Sequence, residues 1–201
     1  MEPSRRLSSA IMSLRRAAHS ETLVSTKGHD PALAQINRDP VMQIRVGDAS
    51  DGAFLEEMLF EAFFWDTATG RPTLASFRAR AEFSQILEGW GRAGDLAIVA
   101  AAHDGARLGA AWCRLWTPEV HSYGFVDASI PEIGMAVVAS HRSKGIGRTL
   151  IQALIERARA DGFPAVSLSV NPANRARWLY EAEGFRKVGE SGTSWTLLLS
   201  L

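Results

Sequence analysis

The sequence has one cysteine, no net charge and no long apolar run, and each absence excludes a class of protein. Cys113 alone cannot form an intrachain disulfide or a multi-cysteine zinc site. The 22 basic and 22 acidic side chains cancel, so binding of nucleic acid through bulk positive charge is not expected. Apolar runs stay shorter than the ~18 residues of a membrane span. The remaining composition, 46% hydrophobic and 22% charged, is that of an ordinary soluble globular protein.

The first 40 residues contain no aromatic side chain, whereas all 17 aromatic residues lie after Pro40. A segment without large apolar side chains cannot offset the entropy lost on ordering it. We therefore predict a disordered extension over residues 1–40 and a folded domain over residues 41–201. Residues 1–20 are rich in Arg and Ser, which leaves two interpretations: an extension of a cytoplasmic protein, or a mitochondrial transit peptide.

Apolar spacing and turn residues predict a mixed β-sheet of about seven strands with about four helices on its faces, an α/β (α+β) fold. The predicted strands are Met42–Val46, Leu96–Ala102, Arg107–Trp116, Glu132–Ala139, Ala165–Val170, Arg186–Glu190 and Trp195–Leu199. The predicted helices are Asp51–Trp65, Leu74–Trp90, Gly147–Ala160 and a segment capped by Asn171 that ends at about Glu183.

A glycine-containing loop lies between the strand at residues 132–139 and the helix that follows it. Gly145 and Gly147 allow backbone N–H groups to converge, and the new helix adds its unpaired N–H groups. This geometry suits a phosphate or pyrophosphate, although a purely structural turn has the same appearance. The P-loop pattern is missing, and Leu150 occupies the third glycine position of the dinucleotide fingerprint. A nucleotide-binding protein is therefore disfavoured.

Two motifs together resemble those of the GNAT N-acetyltransferase superfamily. The first is Arg142-x-x-Gly145-x-Gly147 after Val137-Val138, and the second runs from Asn174 through Leu179-Tyr180-Glu181 to Gly184-Phe185. The resemblance covers about residues 42–201. It implies a GNAT-like sheet and an acetyl-CoA-dependent enzyme that acetylates a primary amine directly, with no metal. A non-catalytic acyl-CoA-binding module on the same fold is the alternative.

The resemblance also implies roles for individual residues. The backbones of Val137 and Val138 would pair with the pantetheine arm, and Asn174 would contact that arm. Tyr180 would protonate the leaving thiolate. The backbone N–H groups that would hold the pyrophosphate belong to Arg142, Ser143, Lys144, Gly145, Ile146, Gly147 and Arg148. The predicted partners are acetyl-CoA and an amine, with no nucleic acid and no membrane, and a homodimer is compatible with this interpretation.

Several of these residues have two interpretations. Tyr180 is either the general acid or a core side chain, and Glu132 is either the general base or a structural carboxylate at a strand end. Related enzymes place the catalytic Glu one position earlier, and one residue reverses the face of a regular strand. In the loop before that strand, His121, Tyr123 and Asp127 are either substrate contacts or solvated residues. The tryptophans are either core or pocket lining, and Cys113 is expected to be buried and inert.

Overall fold

The computed structural model describes residues 42–66, 68 and 70–201, so the predicted extension at residues 1–40 lies outside the described residues. The strands are β1 Met42–Val46, β2 Leu96–Ala102, β3 Arg107–Arg114, β4 Glu132–Val137, β5 Ala165–Val170, β6 Arg186–Ser191 and β7 Ser194–Ser200. The α-helices are α1 Gly52–Phe63, α2 Leu74–Arg78, α3 Ala81–Leu87, α4 Ile146–Ala160 and α5 Ala176–Ala182. Short 3₁₀ turns occupy Ala49–Asp51 and Ala139–His141.

The seven strands form one mixed sheet in the order β1-β2-β3-β4-β5-β7-β6. Every neighbouring pair is antiparallel except β4 and β5, which run parallel because α4 crosses over between them. This arrangement confirms the predicted mixed sheet. The β4–β5 pairing consists of the single pair Glu132 and Ser167, after which the strands diverge.

Helices cover both faces of the sheet, each over its own apolar core. On one face α4 packs against the sheet through the predicted stripe, in which Leu150, Leu154 and Ala158 are fully buried. On the other face α1, α2 and α3 pack against β2, β3 and β4 around Leu55, Phe77 and Trp112. Burial of these faces stabilises the sheet on which the cavity described below is built.

The predicted helix Leu74–Trp90 is wrong, because the chain forms two helices there. Thr73 caps α2 by accepting a hydrogen bond from the Ser76 N–H, and α2 ends at Arg78. Arg80 is extended, with φ −94° and ψ 113°, so the helical hydrogen bonds are interrupted before α3 begins. The break lets the rings of Phe77 and Phe83 stack with centroids 4.6 Å apart, so packing overrides the local helical pattern.

The last helix also begins later than predicted. The side chain of Asn171 accepts a hydrogen bond from the Ala173 N–H, and that of Asn174 accepts one from the Ala176 N–H, each at 2.9 Å. These two Asx turns hold the backbone out of the helix until α5 starts at Ala176. None of the helices in the described part of the chain has the length and the hydropathy that a membrane span needs.

Candidate active site

The divergence of β4 and β5 opens a cavity of about 920 Å³ between them. It extends from the glycine loop at Gly145 and Gly147, past the exposed edge of β4, to side chains of α1 and β3. A cavity of this size is typical of a small-molecule or cosubstrate site.

The edge of β4 that faces the gap carries peptide groups that no neighbouring strand pairs, although the Val137 carbonyl accepts from Arg142 Nε. The Val138 N–H donates to the Leu108 carbonyl at 2.9 Å, on the side of β3. Because peptide groups alternate along a strand, those of Met135 and Val137 point to the opposite side, into the gap. The Val138 carbonyl accepts from the His141 N–H at 2.8 Å, so both peptide groups of Val138 have partners within the protein, contrary to the prediction that its backbone pairs with the pantetheine arm. Met135, which the motif did not single out, takes the corresponding place.

The glycine loop presents a run of N–H groups without protein acceptors. Ser143 and Gly145 have positive φ, 62° and 86°, so successive amides turn toward one side. Thr149 is the first residue whose N–H returns to a carbonyl, that of Gly145 at 3.1 Å. Within the described residues, no backbone acceptor meets the N–H groups of residues 143–148, whereas the Arg142 N–H, which the prediction included, donates to the Ala139 carbonyl at 3.4 Å. This arrangement fits a phosphate group.

The side chain of Arg142 is bound within the protein. Its Nε donates to the Val137 carbonyl at 3.0 Å, and its Nη2 lies 2.5 Å from the Glu61 carboxylate on α1. Glu61 also binds Arg71 at 2.6 Å. Arg142 therefore holds the loop against α1 and does not supply the mobile positive charge that its position in the motif suggests. Glu61 was missed by sequence reasoning, because nothing local marks a contact between residues this far apart in the chain.

Free positive charge at the loop comes from other side chains. Lys144 is exposed, and the exposed Arg148 lies 3.3 Å from the Glu183 carboxylate. Lys144 lies just before the start of α4 and Arg148 lies in its first turn, so each can supplement the backbone N–H groups.

Glu132 is a buried carboxyl in the wall of the cavity. Its Oε1 accepts a hydrogen bond from the Gly124 N–H at 2.8 Å, and its Oε2 has no hydrogen-bond partner in the described residues. Burial raises the pKa of Glu132 from 4.5 to about 7, partly opposed by the Gly124 hydrogen bond, the Ser122 side chain and the nearby His121. Gly124 has no room for a side chain, since a Cβ there would lie 2.6 Å from the backbone carbon of Leu168. The loop thus presses directly on this carboxyl.

Tyr180, on α5, is buried and also lines the cavity. Its ring meets that of Phe185 edge to face, with centroids 5.9 Å apart, and burial raises the pKa of its hydroxyl to about 12. The hydroxyl is therefore protonated at neutral pH. Tyr180 is thus a core side chain that also lines the cavity, and its role as the general acid stays a prediction.

Asn174 lines the cavity beside α5, but its side-chain oxygen accepts from the Ala176 N–H. Its NH₂ group remains to donate toward a ligand. In the preceding loop Tyr123 lines the cavity, whereas His121 stacks on Phe125 and Asp127 accepts from the Ser129 N–H. Of the three predicted loop residues, Tyr123 is the one that lines the cavity, together with its neighbour Ser122.

Two further sequence predictions concern Cys113 and the binding of a metal ion. Cys113 is buried, and burial raises the pKa of its thiol to about 12, as expected for an inert core cysteine. No group of His, Cys, Asp and Glu in the described residues is arranged to hold a metal ion.

Comparisons with known proteins agree with this geometry. The model of the acetyltransferase (GNAT) family matches residues 55–185. No curated protein matches the chain. Among solved structures, PaiA N-acetyltransferase from Thermoplasma acidophilum in complex with coenzyme A has 19% identity and a TM-score of 0.60, covering 80% of this chain and 99% of its own.

Two other solved structures show the same fold. yncA from Salmonella typhimurium, solved with its cofactor acetyl-CoA, has 23% identity and a TM-score of 0.55, with 80% of this chain and 94% of its own covered. Ribosomal-protein-alanine N-acetyltransferase from Brucella melitensis has 24% identity and a TM-score of 0.56, with coverage of 79% and 99%.

Proposed function

The chain belongs to the acetyltransferase (GNAT) family, and from this premise we propose that it transfers an acetyl group from acetyl-CoA directly to a primary amine. One observation carries the proposal: the gap between β4 and β5 joins a row of unpaired loop N–H groups to a buried carboxyl with a free oxygen, Glu132. A direct transfer needs both reactants aligned in one cavity, and this gap is a single cavity.

The chain offers several groups that fit a CoA thioester. Unpaired N–H groups from Ser143 to Arg148 fit the pyrophosphate. The peptide groups of Met135 and the N–H of Val137 at the β4 edge fit the amides of the pantetheine arm, as an added strand would, and the Asn174 NH₂ group can donate to the same arm. When bound, acetyl-CoA supplies the activated acetyl carbon and the thiolate leaving group.

Proton transfer is assigned to the two buried titratable groups in the cavity. An amine attacks only when it is neutral, and Glu132, with its pKa near 7, is suited to take up the amine proton near neutral pH. Its Oε2 is buried, has no hydrogen-bond partner among the described residues and can hold this proton. Tyr180 is protonated and is placed in the cavity wall, so we assign it as the donor that protonates the departing sulfur.

The first test is calorimetric titration with acetyl-CoA, ATP and NAD. We expect acetyl-CoA to bind and the nucleotides to bind more weakly. Absence of acetyl-CoA binding, or tighter binding of a nucleotide, would overturn the proposal.

The second test separates an enzyme from a non-catalytic acyl-CoA-binding module. Release of free CoA thiol is followed with a panel of amines for the wild type and for Tyr180→Phe. Amine-dependent release by the wild type supports the enzyme. Binding of acetyl-CoA with no release above background hydrolysis supports the module.

The proposal also covers the domain boundary, the cellular compartment and the oligomeric state. We propose that residues 41–201 form the acetyltransferase domain, and that the protein works in the cytoplasm, with the mitochondrion as the alternative set by the Arg- and Ser-rich start. A homodimer is the assembly to test by light scattering. Fluorescent tagging of the full chain and of a chain starting at Met42 would separate the two compartments.

A further inference from the structure

Aromatic side chains surround the end of the cavity that lies away from the glycine loop. They come from α1, from the segment after it, from β3 and its extension, and from the loop before β4. This aromatic wall comprises Phe63, Trp65, Trp112, Trp116 and Tyr123. The rings of Phe63 and Tyr123 meet edge to face with centroids 5.9 Å apart, which joins α1 to the loop across the cavity. Apolar rings recognise a substrate mainly through its own apolar body.

The position of Trp112 shapes this wall. Its indole lies so close to Gly134 on the neighbouring strand that a Cβ at Gly134 would stand 2.4 Å from the ring. Glu132 is two residues earlier on the same strand and therefore on the same face. The carboxyl that would accept the amine proton thus stands beside the aromatic wall.

Arg114, the arginine among the residues that line this end of the cavity, is bound within the protein. Arg114 is 2% exposed, and its Nε and Nη2 donate to the Asp95 carboxylate at 2.8 and 2.6 Å. Its Nη1 donates to the carbonyls of Ile86 and Glu88, each at 2.9 Å. Four of the five guanidinium N–H groups are thus committed, and the charge is neutralised. Arg114 cannot offer a forked site to a substrate carboxylate.

The carboxylates that line the cavity are also neutralised within the protein, with the exception of Glu132. Glu61, on the same side of the cavity, is bound by Arg71 and Arg142 at 2.6 and 2.5 Å. It therefore has no uncompensated charge for an ammonium group. Glu132 is the other carboxyl among the described lining residues, and in the proposed reaction it interacts with the amine that is acetylated.

We propose that the acceptor is a primary monoamine on a neutral aromatic or bulky apolar body, an inference that rests on the acetyl transfer proposed above. A second ammonium group, as in a polyamine or an aminoglycoside, would enter the cavity without a carboxylate to neutralise it. A free carboxylate, as in an amino acid, would not be neutralised by Arg114, which is already paired with Asp95. Each unpartnered charge must lose its hydration on entry, which is costly.

Matched amines test the proposal with little ambiguity. The wild type is assayed with acetyl-CoA and 2-phenylethylamine, with phenylalanine, which adds a carboxylate, and with 1,4-diaminobutane and spermidine, which add amines. We expect kcat/KM for 2-phenylethylamine to exceed the others at least about tenfold. Equal or higher kcat/KM for phenylalanine or spermidine overturns the proposal.

A variant pair tests the charge argument directly. Ala62 lines the cavity on α1 and is half-buried, and both Glu and Gln are good helix formers. Ala62→Glu adds a second carboxylate near the wall, so we expect the ratio of kcat/KM for 1,4-diaminobutane over 2-phenylethylamine to rise about tenfold. Ala62→Gln has nearly the same shape without the charge and should leave the ratio unchanged. A similar ratio in both variants would refute the charge argument.

A binding measurement keeps this inference separate from the transfer reaction. Amines are titrated into the protein with CoA, which carries no acetyl group, and tryptophan fluorescence reports occupation of the wall. Selective binding of 2-phenylethylamine without turnover by any amine supports the inference while the proposed transfer fails. If the protein acetylates spermidine in preference to the other amines, the proposed acetyl transfer is supported, but the inference of a neutral monoamine acceptor is overturned. Binding of none of the amines also overturns it.

Discussion

Replacement of Glu132 by glutamine separates the effect of its charge from that of its shape. The glutamine oxygen can still accept the Gly124 N–H bond that Glu132 Oε1 accepts at 2.8 Å. The charge, however, can no longer form in a buried site. Because the folded pKa is raised, from 4.5 to about 7, the folded protein holds this proton more tightly than the unfolded chain does.

The sign and size of the effect follow from linkage. The stabilisation is fully present below the unfolded pKa of 4.5 and is lost as the pH rises through about 7. At ~1.4 kcal/mol for each pKa unit, the wild type should lose roughly 3 kcal/mol of unfolding free energy between pH 4.5 and about pH 8 from this group alone. Glu132→Gln should lack that loss, so it should be the more stable protein at about pH 8.

Urea unfolding of both proteins at several pH values measures the difference, because other groups contribute equally to both. Glu119→Gln removes an exposed carboxylate from a loop and serves as the control. Its unfolding free energy should depend on pH as that of the wild type does. Activity should move in the opposite direction. The rise of kcat/KM with pH near 7 should disappear in Glu132→Gln, together with most of the rate. Parallel stability profiles for wild type and Glu132→Gln would refute the assignment of a buried, proton-holding carboxyl.

Three further changes test other parts of the site. Tyr180→Phe should lower kcat about 100-fold with the acetyl-CoA dissociation constant unchanged, and an unchanged kcat would remove it as the acid. Gly145→Ala places a Cβ at φ 86° beside the unpaired amides and should weaken acetyl-CoA binding about tenfold. Gly162→Ala, at φ 80°, carries the same backbone cost but lies away from the loop, so it should leave acetyl-CoA binding unchanged. Equal acetyl-CoA affinities of the two variants would show that the phosphate site lies elsewhere. Gly134→Ala should cost ~1–3 kcal/mol in urea unfolding by displacing the Trp112 ring, and an unchanged midpoint would contradict that contact.

The parts of the fold that follow from local pattern were predictable from the sequence. Met42–Val46 and Ala165–Val170 form strands with the predicted bounds, and α4 begins one residue before the predicted Gly147. Each has an uninterrupted apolar pattern and clear turn residues at its ends. The strand–glycine loop–helix unit was found for the same reason, since its geometry depends on a few consecutive residues.

The parts that depend on contacts between distant segments were not predictable. The bond of Arg142 to Glu61 joins residues that are 81 positions apart. The break between α2 and α3 depends on ring stacking between Phe77 and Phe83. Whether Glu132 faces the cavity could not be decided from strand alternation alone. Its environment is made by the Gly124 loop and by the divergence of β5, neither of which leaves a periodic signal.

Burial tunes both proposed catalytic groups at once, and this constrains the mechanism. It raises the pKa of Glu132 to about 7, which favours proton uptake from an amine near neutral pH, but it also raises the pKa of Tyr180 to about 12, which weakens it as an acid. Against a thiol in water, with pKa ~8.5, proton donation from Tyr180 is unfavourable. A thiolate that forms in the same cavity, however, is also removed from water, and burial raises its pKa by the same physical cause. The relevant quantity is therefore the difference between the pKa of the Tyr180 hydroxyl and the pKa of the CoA thiol inside the cavity. On this argument the loss in Tyr180→Phe should be largest for CoA thioesters and smaller for an acyl donor whose leaving group is already a weak base.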